Sequence, residues 1–210
     1  MAVRSNQSTK PNKSKGKQKK NSAIITPVGI ASYAFVWKPQ ASMNPGQDPK
    51  YSITLIVPKK ADLSDLERAV AAAGRKKFGD SYDKLVARNK LSLPFRDGDE
   101  EREGDALYKR SIFFSAKSTQ KPGVVEMVEG RPTPIEDEFE FYSGCKCKIS
   151  VYAFGFDVNG NKGVAFALNN VLKMGDGERL SGRRAAEEEF EDEDSDDDDD
   201  GDDTDDDMFD

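Results

Sequence analysis

All 32 lysines and arginines of this 210-residue chain precede residue 185, while 18 of its 39 acids follow residue 186. Residues 1–186 therefore carry 32 cations against 21 acids, a net +11, and the last 24 residues carry −18. The two ends are too polar to fold. Residues 1–22 hold seven cations, no acid and almost nothing apolar. Residues 187–210 hold only Phe190, Met208 and Phe209 as large apolar groups. Neither stretch buries enough surface to offset its chain entropy, so both are expected to be disordered. Folding falls to residues 23–180, the length of one ordinary domain. The expected organisation is a basic arm (1–22), a folded domain (23–180) and an acidic tail (181–210).

The chain has no histidine, which removes His-based general base catalysis, Ser-His-Asp triads and His-ligated zinc. Its two cysteines, Cys145 and Cys147, are too few for a disulfide framework or a zinc site, and read as small buried side chains. No apolar stretch serves as a signal peptide or membrane span, so a reducing, cytoplasmic setting without membrane contact is expected. No cofactor, metal or catalytic residue is expected.

Between the tails, alternating apolar residues bounded by Pro, Gly and Asp dominate. Ala31 to Trp37 and Tyr51 to Val57 read as strands, the latter with Tyr51, Ile53, Leu55 and Val57 on one face. Asp62 or Ser64 then caps a helix carrying Leu66, Ala69, Val70 and Ala73, ending near Gly79. Residues 81–90 suggest a second short helix. Residues 107–116, 124–128, 138–156 and 163–174 read as strands, with a hairpin turn across 157–163. The fold class is mainly β with one or two helices. An OB-like antiparallel barrel fits, and strand count alone fits a sandwich equally well.

The strand ending at Phe156 carries the most chemistry. One face reads Cys145, Cys147, Ile149, Val151, Ala153, suited to a core. The opposite face reads Lys146, Lys148, Ser150, Tyr152, Phe154, Phe156. Lysines neutralise phosphates and unpaired bases stack on aromatic rings, so this face suits a single strand of nucleic acid; alternatively its rings pack under a helix or loop. Tyr33, Phe35 and Trp37 form a second ladder, which more often makes core; Trp37, beside Lys38, is the one best placed to meet a base. Phe113 shares a face with Lys109 and Lys117 and is the candidate for exposure in its strand. The acidic run Asp97 to Asp105 reads as solvated charge rather than a cation site.

The tail ends Asp-Met-Phe-Asp. Solubility gives no reason for Met208 and Phe209 there, whereas an apolar anchor flanked by acids suits a basic, hydrophobic pocket on a partner. Extended, 24 residues reach about 80 Å, against a domain radius of gyration of about 15 Å. The tail can reach its own domain's binding face.

The segments TPVGIASYAFVWKP (Thr26 to Pro39), KYSITLIVPK (Lys50 to Lys59), LPFRDGDE (Leu93 to Glu100), FYSGCKCKISVYAF (Phe141 to Phe154) and GNKGVAFALNNVLKMGDGE (Gly160 to Glu178) together resemble a tailed-phage single-stranded DNA-binding protein family. The resemblance covers most of residues 24–180. It implies an OB-fold and a role in phage DNA replication, recombination and repair. It also implies a tail that competes with DNA and touches polymerase, helicase-primase or nuclease partners. The long Lys-rich arm departs from that pattern, and a homodimer stays open. Two other classes compete: an acidic-tailed chaperone for basic proteins, and a metal-dependent nuclease using Asp97 to Asp105. The +11 body and the Lys/aromatic face disfavour the first. The second lacks carboxylates converging from separate elements.

Overall fold

The computed structural model describes residues 23–41, 46 and 48–180. The basic arm and the acidic tail with Met208 and Phe209 lie outside the described residues. The described chain runs β1 (Ile24–Ile25), β2 (Gly29–Gln40), β3 (Lys50–Pro58), α1 (Ser64–Phe78), α2 (Tyr82–Ala87), β4 (Arg96–Asp97) and α3 (Gly98–Glu101). It continues through β5 (Ser111–Ser118), β6 (Gly123–Val128), β7 (Arg131–Pro134), β8 (Lys146–Val158) and β9 (Asn161–Gly175). Among the described residues no helix is long and apolar enough to cross a membrane.

Pairing decides between barrel and sandwich. β2 pairs β3, β3 pairs β5, β5 pairs β9, β9 pairs β8, and β8 returns to β2. Five strands therefore close on themselves. Numbered in chain order, the ring reads 1-2-3-5-4-1, a five-stranded Greek-key barrel of the OB type. The strand pairings are antiparallel except that β9 runs parallel to β5 and to β6. The β6–β7 hairpin extends the sheet beyond β9, and Pro132 and Pro134 deny β7's outer edge two donors.

The barrel interior takes the residues that alternation assigns to it. Ile53, Leu55 and Val57 of β3 and Cys147, Ile149 and Val151 of β8 are at most 1% exposed. Phe114 and Phe166 meet inside the barrel with ring centroids 5.4 Å apart, and Phe95 stands edge-on to both at 5.7 Å. Burial pushes the Cys147 thiol up to about 12, so it stays a neutral core side chain. At the β8–β9 turn, Asn159 (φ 52°) and Gly160 (φ 81°) take the two positive φ values of a type I′ hairpin, which its Asn-Gly sequence supplies.

Two strands begin later than alternation suggests. Residues 106–108 form a 3-10 turn, so β5 starts at Ser111. Residues 138–145 wind through turns alongside β2, so β8 starts at Lys146. The strap made by those turns fills the gap where β2 diverges from β8. Gly144 N–H donates to Ala31 O, and Ala34 N–H donates to Ser143 Oγ at 3.0 Å.

Helix α1 starts where Asp62 Oδ1 accepts from the Ser64 N–H. It buries Leu66 and Val70 in the main core and Gly74 against α2. Gly74 faces the buried Tyr82 ring, which leaves no room for a Cβ. In an open helix Gly→Ala stabilises by about 1 kcal/mol. Here Gly74→Ala should destabilise by about 1–3 kcal/mol through overpacking, seen as a lower Tm. In a Tyr82→Ala background the same methyl should be neutral or stabilising. A raised Tm for Gly74→Ala alone would contradict this packing.

Candidate nucleic-acid interface

Cross-strand partners share a face of a sheet, so the registers define what lines the outside of the barrel. One row runs Ile30, Ile56, Phe113 and the next runs Ser32, Thr54, Ser115 across β2, β3 and β5. The third runs Phe35, Ser52 and Lys117, passes through Ala167 of β9 and ends at Tyr152 of β8. Every member of this third row is half-buried or exposed, while the adjacent inward row Ile53, Ala116, Phe166, Ala153 is buried. The row is thus a belt on the outer wall: an aromatic ring, a small residue, a cation, a small residue, an aromatic ring. Four strand spacings of about 4.8 Å make it about 19 Å long.

A bulge puts the β2 aromatics on that wall. The β2–β3 register shifts between Ser32 and Phe35, and Tyr33 takes φ 47°, a left-handed conformation costly for a bulky residue. The shift reverses the alternation, so that Val36 enters the core and Tyr33, Phe35 and Trp37 face outward. Tyr33 is 52% exposed, and the Arg102 guanidinium lies between its ring (5.8 Å) and that of Tyr108 (5.0 Å). Trp37 is half-buried: its Nε1–H donates to Phe141 O at 2.9 Å, and Lys121 Nζ sits 5.3 Å from its ring centroid. Sequence reasoning favoured Trp37 as the ring most open to a base, but Tyr33 is the more open of the two. Lys38 is exposed and paired with Glu138 at 3.1 Å.

Phe113 is not exposed. It is 2% accessible, because the turn at 106–108 folds back and lays Tyr108 edge-on against it at 4.9 Å, while Arg96 covers it from 4.9 Å. Lys109 is exposed but lies beyond the end of β5, outside its alternation, whereas Lys117 is exposed on the belt. Of this segment's acids, Asp97, Asp99 and Glu101 are ion-paired, whereas Glu100 and Glu103 are exposed. Lys59 Nζ lies 2.6 Å from Asp97 and 2.8 Å from Asp99. The hydrogen bond from Lys59 lowers the pKa of Asp97, and that from the Arg110 N–H lowers Asp99. Asp97 also caps α3 by accepting from the Asp99 N–H. These solvent-accessible carboxylates also help hold the cover over Phe113.

The outward face of β8 falls as alternation predicts. Lys146 is exposed, Lys148 and Tyr152 are half-buried, and Phe154 is 46% exposed. Phe156 is half-buried, its ring lying across Gly163, its partner on β9. Tyr152 and Phe154 line a groove of about 450 Å³ whose other wall is α1, with Ala69, Ala72, Ala73, Lys76 and Lys77. Lys146 and Lys148 stand at the opposite end of β8. Arg102, Lys121, Lys76 and Lys77 were not singled out from sequence, and Tyr33 and Phe35 were read there as more often core. Only the +11 body and the Tyr-x-Phe-x-Trp spacing hinted at them.

In barrels of this topology, oligonucleotides lie across the second and third strands, between the loop after the first strand and the hairpin joining the last two. Here those strands are β3 and β5, which carry Ser52 and Lys117, and the hairpin turns at Asn159 and Gly160. The chain is 24% identical to the single-stranded DNA-binding protein of bacteriophage Enc34, solved in complex with single-stranded DNA; the likeness covers 76% of this chain and 89% of that one, with a TM-score of 0.58. It shares the fold of gp2.5, a single-stranded DNA-binding protein of bacteriophage T7, at 18% identity, a TM-score of 0.54, and coverage of 82% and 94%. It is also 29% identical over 157 residues to the putative protein p50 of Acyrthosiphon pisum secondary endosymbiont phage 1, spanning 67% of this chain and 78% of that protein. The family model of the Enterobacter phage Enc34 ssDNA-binding protein matches residues 22–200. With that match spanning folded domain and part of the tail, the chain belongs to the Enc34 single-stranded DNA-binding protein family.

Proposed function

We propose that this chain binds single-stranded DNA without sequence preference, and serves phage DNA replication, recombination and repair in the host cytoplasm. The observation that carries the reading is the belt Phe35–Ser52–Lys117–Ala167–Tyr152. Small residues leave room for bases between two aromatic platforms, and the central lysine meets the backbone. Trp37, Lys38, Lys109 and Lys121 add cations and ring area on the β2–β5 side, and Lys146, Lys148, Phe154 and Phe156 extend the surface along β8. Phe113 supports the β3–β5 wall from beneath its cover and does not touch DNA.

The acidic tail competes with DNA. Its root is tied close to the binding face: Leu180 N–H donates to Ser143 O at 2.9 Å, and Ser143 Oγ accepts from Ala34 within the β2 aromatic run. Eighteen acids leaving from that point face a body of net +11. Met208 and Phe209 provide the apolar anchor for a replication partner, and the arm's seven cations track phosphates without reading bases. A chaperone for basic proteins would use the same tail but has no use for the belt.

Binding should be strongly salt-dependent, each phosphate contact adding about −0.7 to the log–log slope. Phe35→Ala should weaken binding to oligothymidylate by about 1–3 kcal/mol while leaving the thermal melt in place. A flat salt response, or wild-type affinity in the variant, would sink the assignment of this face.

Removing residues 187–210 should tighten DNA binding, most at low salt where screening is weak. Phe209→Ala should leave DNA affinity near wild type and abolish partner capture. Equal affinities of truncated and intact protein across a salt series would refute competition.

A further inference from the structure

The groove between α1 and β8 lies at one end of the belt. Tyr152 belongs to both, as the last residue of the row that starts at Phe35 and as a lining residue of the groove. The groove's other walls are chemically divided. Ala69, Ala72 and Ala73 keep the helix side shallow and apolar, and Phe154 presents an exposed ring on the strand side. Lys76 and Lys77, both exposed, stand on the helix wall. The helix is held close at this level, since Ala73 O and the Lys77 stem lie against Gly155, where a side chain would push it away. The aromatic wall and the lysine wall are therefore held facing each other across a volume of about 450 Å³.

We infer that this groove is a second nucleotide-binding site, taking one nucleotide of a DNA strand that has already crossed the belt. The base stacks on Tyr152 or Phe154, and Lys76 and Lys77 meet the flanking phosphates. Charge complementarity selects this occupant: the two lysines have no acid partner among the described residues. The volume falls within the range of ligand pockets, about 300–1,000 Å³. The belt makes the site reachable by a continuous strand, which wraps from the β2 face around β9 to the helix. The inference rests on the DNA-binding reading above and deepens it by extending the footprint to a helix that the five-stranded face does not include.

The test compares oligothymidylates of about 4 and about 16 nucleotides, the bounds of the site sizes seen for OB folds. The full-length chain is compared with Lys76→Ala/Lys77→Ala, with Phe154→Ala, and with Lys84→Ala/Lys90→Ala as an equal charge change at exposed positions outside the groove lining. For the longer oligomer, the Lys76/Lys77 variant should bind on the order of tenfold more weakly, with a salt slope shallower by about 1.4 for two lost phosphate contacts. Its affinity for the shorter oligomer should stay near wild type. Phe154→Ala should weaken binding of the longer oligomer more than that of the shorter one, with an unchanged salt slope. Photo-crosslinking the longer oligomer, carrying 5-iododeoxyuridine, should place an adduct on Tyr152 or Phe154.

Losses no larger than those of the Lys84/Lys90 control, together with no adduct on β8, would overturn the second site. Tighter binding by the Lys76/Lys77 variant would also overturn it and make the acidic tail the groove's occupant. Failure of the wild-type protein to bind either oligomer would instead overturn the DNA-binding reading itself, and this inference with it.

Discussion

Two residue pairs close the barrel between β5 and β9, Ala116 with Phe166 and Lys117 with Ala167. The first pair faces inward, where Phe166 packs against Phe114 and Phe95; the second faces outward and carries the cation at the centre of the belt. Side chains alternate with period two along a strand, so a slip of one residue would put Lys117 into the core and Ala116 on the surface. The cost of burying an unpaired ammonium and losing the phenylalanine cluster fixes the register. The outer belt is therefore a by-product of core packing: Lys117 and Ala167 lie beside each other on the outside because Ala116 and Phe166 must lie beside each other within.

The segment between the helices and β5 shows how charge was separated by use. Asp97, Asp99 and Glu101 are held by Lys59 and Arg96, and they fasten a cover of Tyr108 and Leu107 over Ile56 and Phe113. This seals one end of the β2–β3–β5 outer wall and leaves the other, with Phe35, Ser52 and Lys117, open. Over residues 23–180 the charges nearly balance, 23 cations against 21 acids, and the pairing of Asp97, Asp99 and Glu101 within the cover keeps them off the open wall.

How much of this could be read in advance depends on the range of the interaction involved. The two faces of β8 were legible because alternation is local: Cys147, Ile149 and Val151 had only one apolar surface to join, which sent Lys148, Tyr152 and Phe154 outward. The Asn-Gly hairpin, the helix starting near Ser64 and the disparity between body and tail were legible for the same reason. The position of Phe113 was not. Its neighbours on the strand say outward, but Tyr108, five residues before it, returns over it and is held there by a hydrogen bond with Ser32 of β2.

Sequence by itself determined most of the barrel strands, the inward face of β8, and the separation of the cations, all before residue 185, from the acidic tail. These follow from hydrophobic period and charge count, which need no knowledge of partners. Only the tertiary structure decided that Tyr33, Phe35 and Trp37 face outward, that Phe35 and Tyr152 share one row, and that Lys76 and Lys77 face Tyr152 and Phe154 across a groove. A bulge at Tyr33 shifts the phase of β2 by one residue. Barrel closure sets which strands are neighbours, and the packing of Gly155 against α1 sets the groove's width. Each depends on contacts between residues far apart in the chain, and the local pattern carries no record of them.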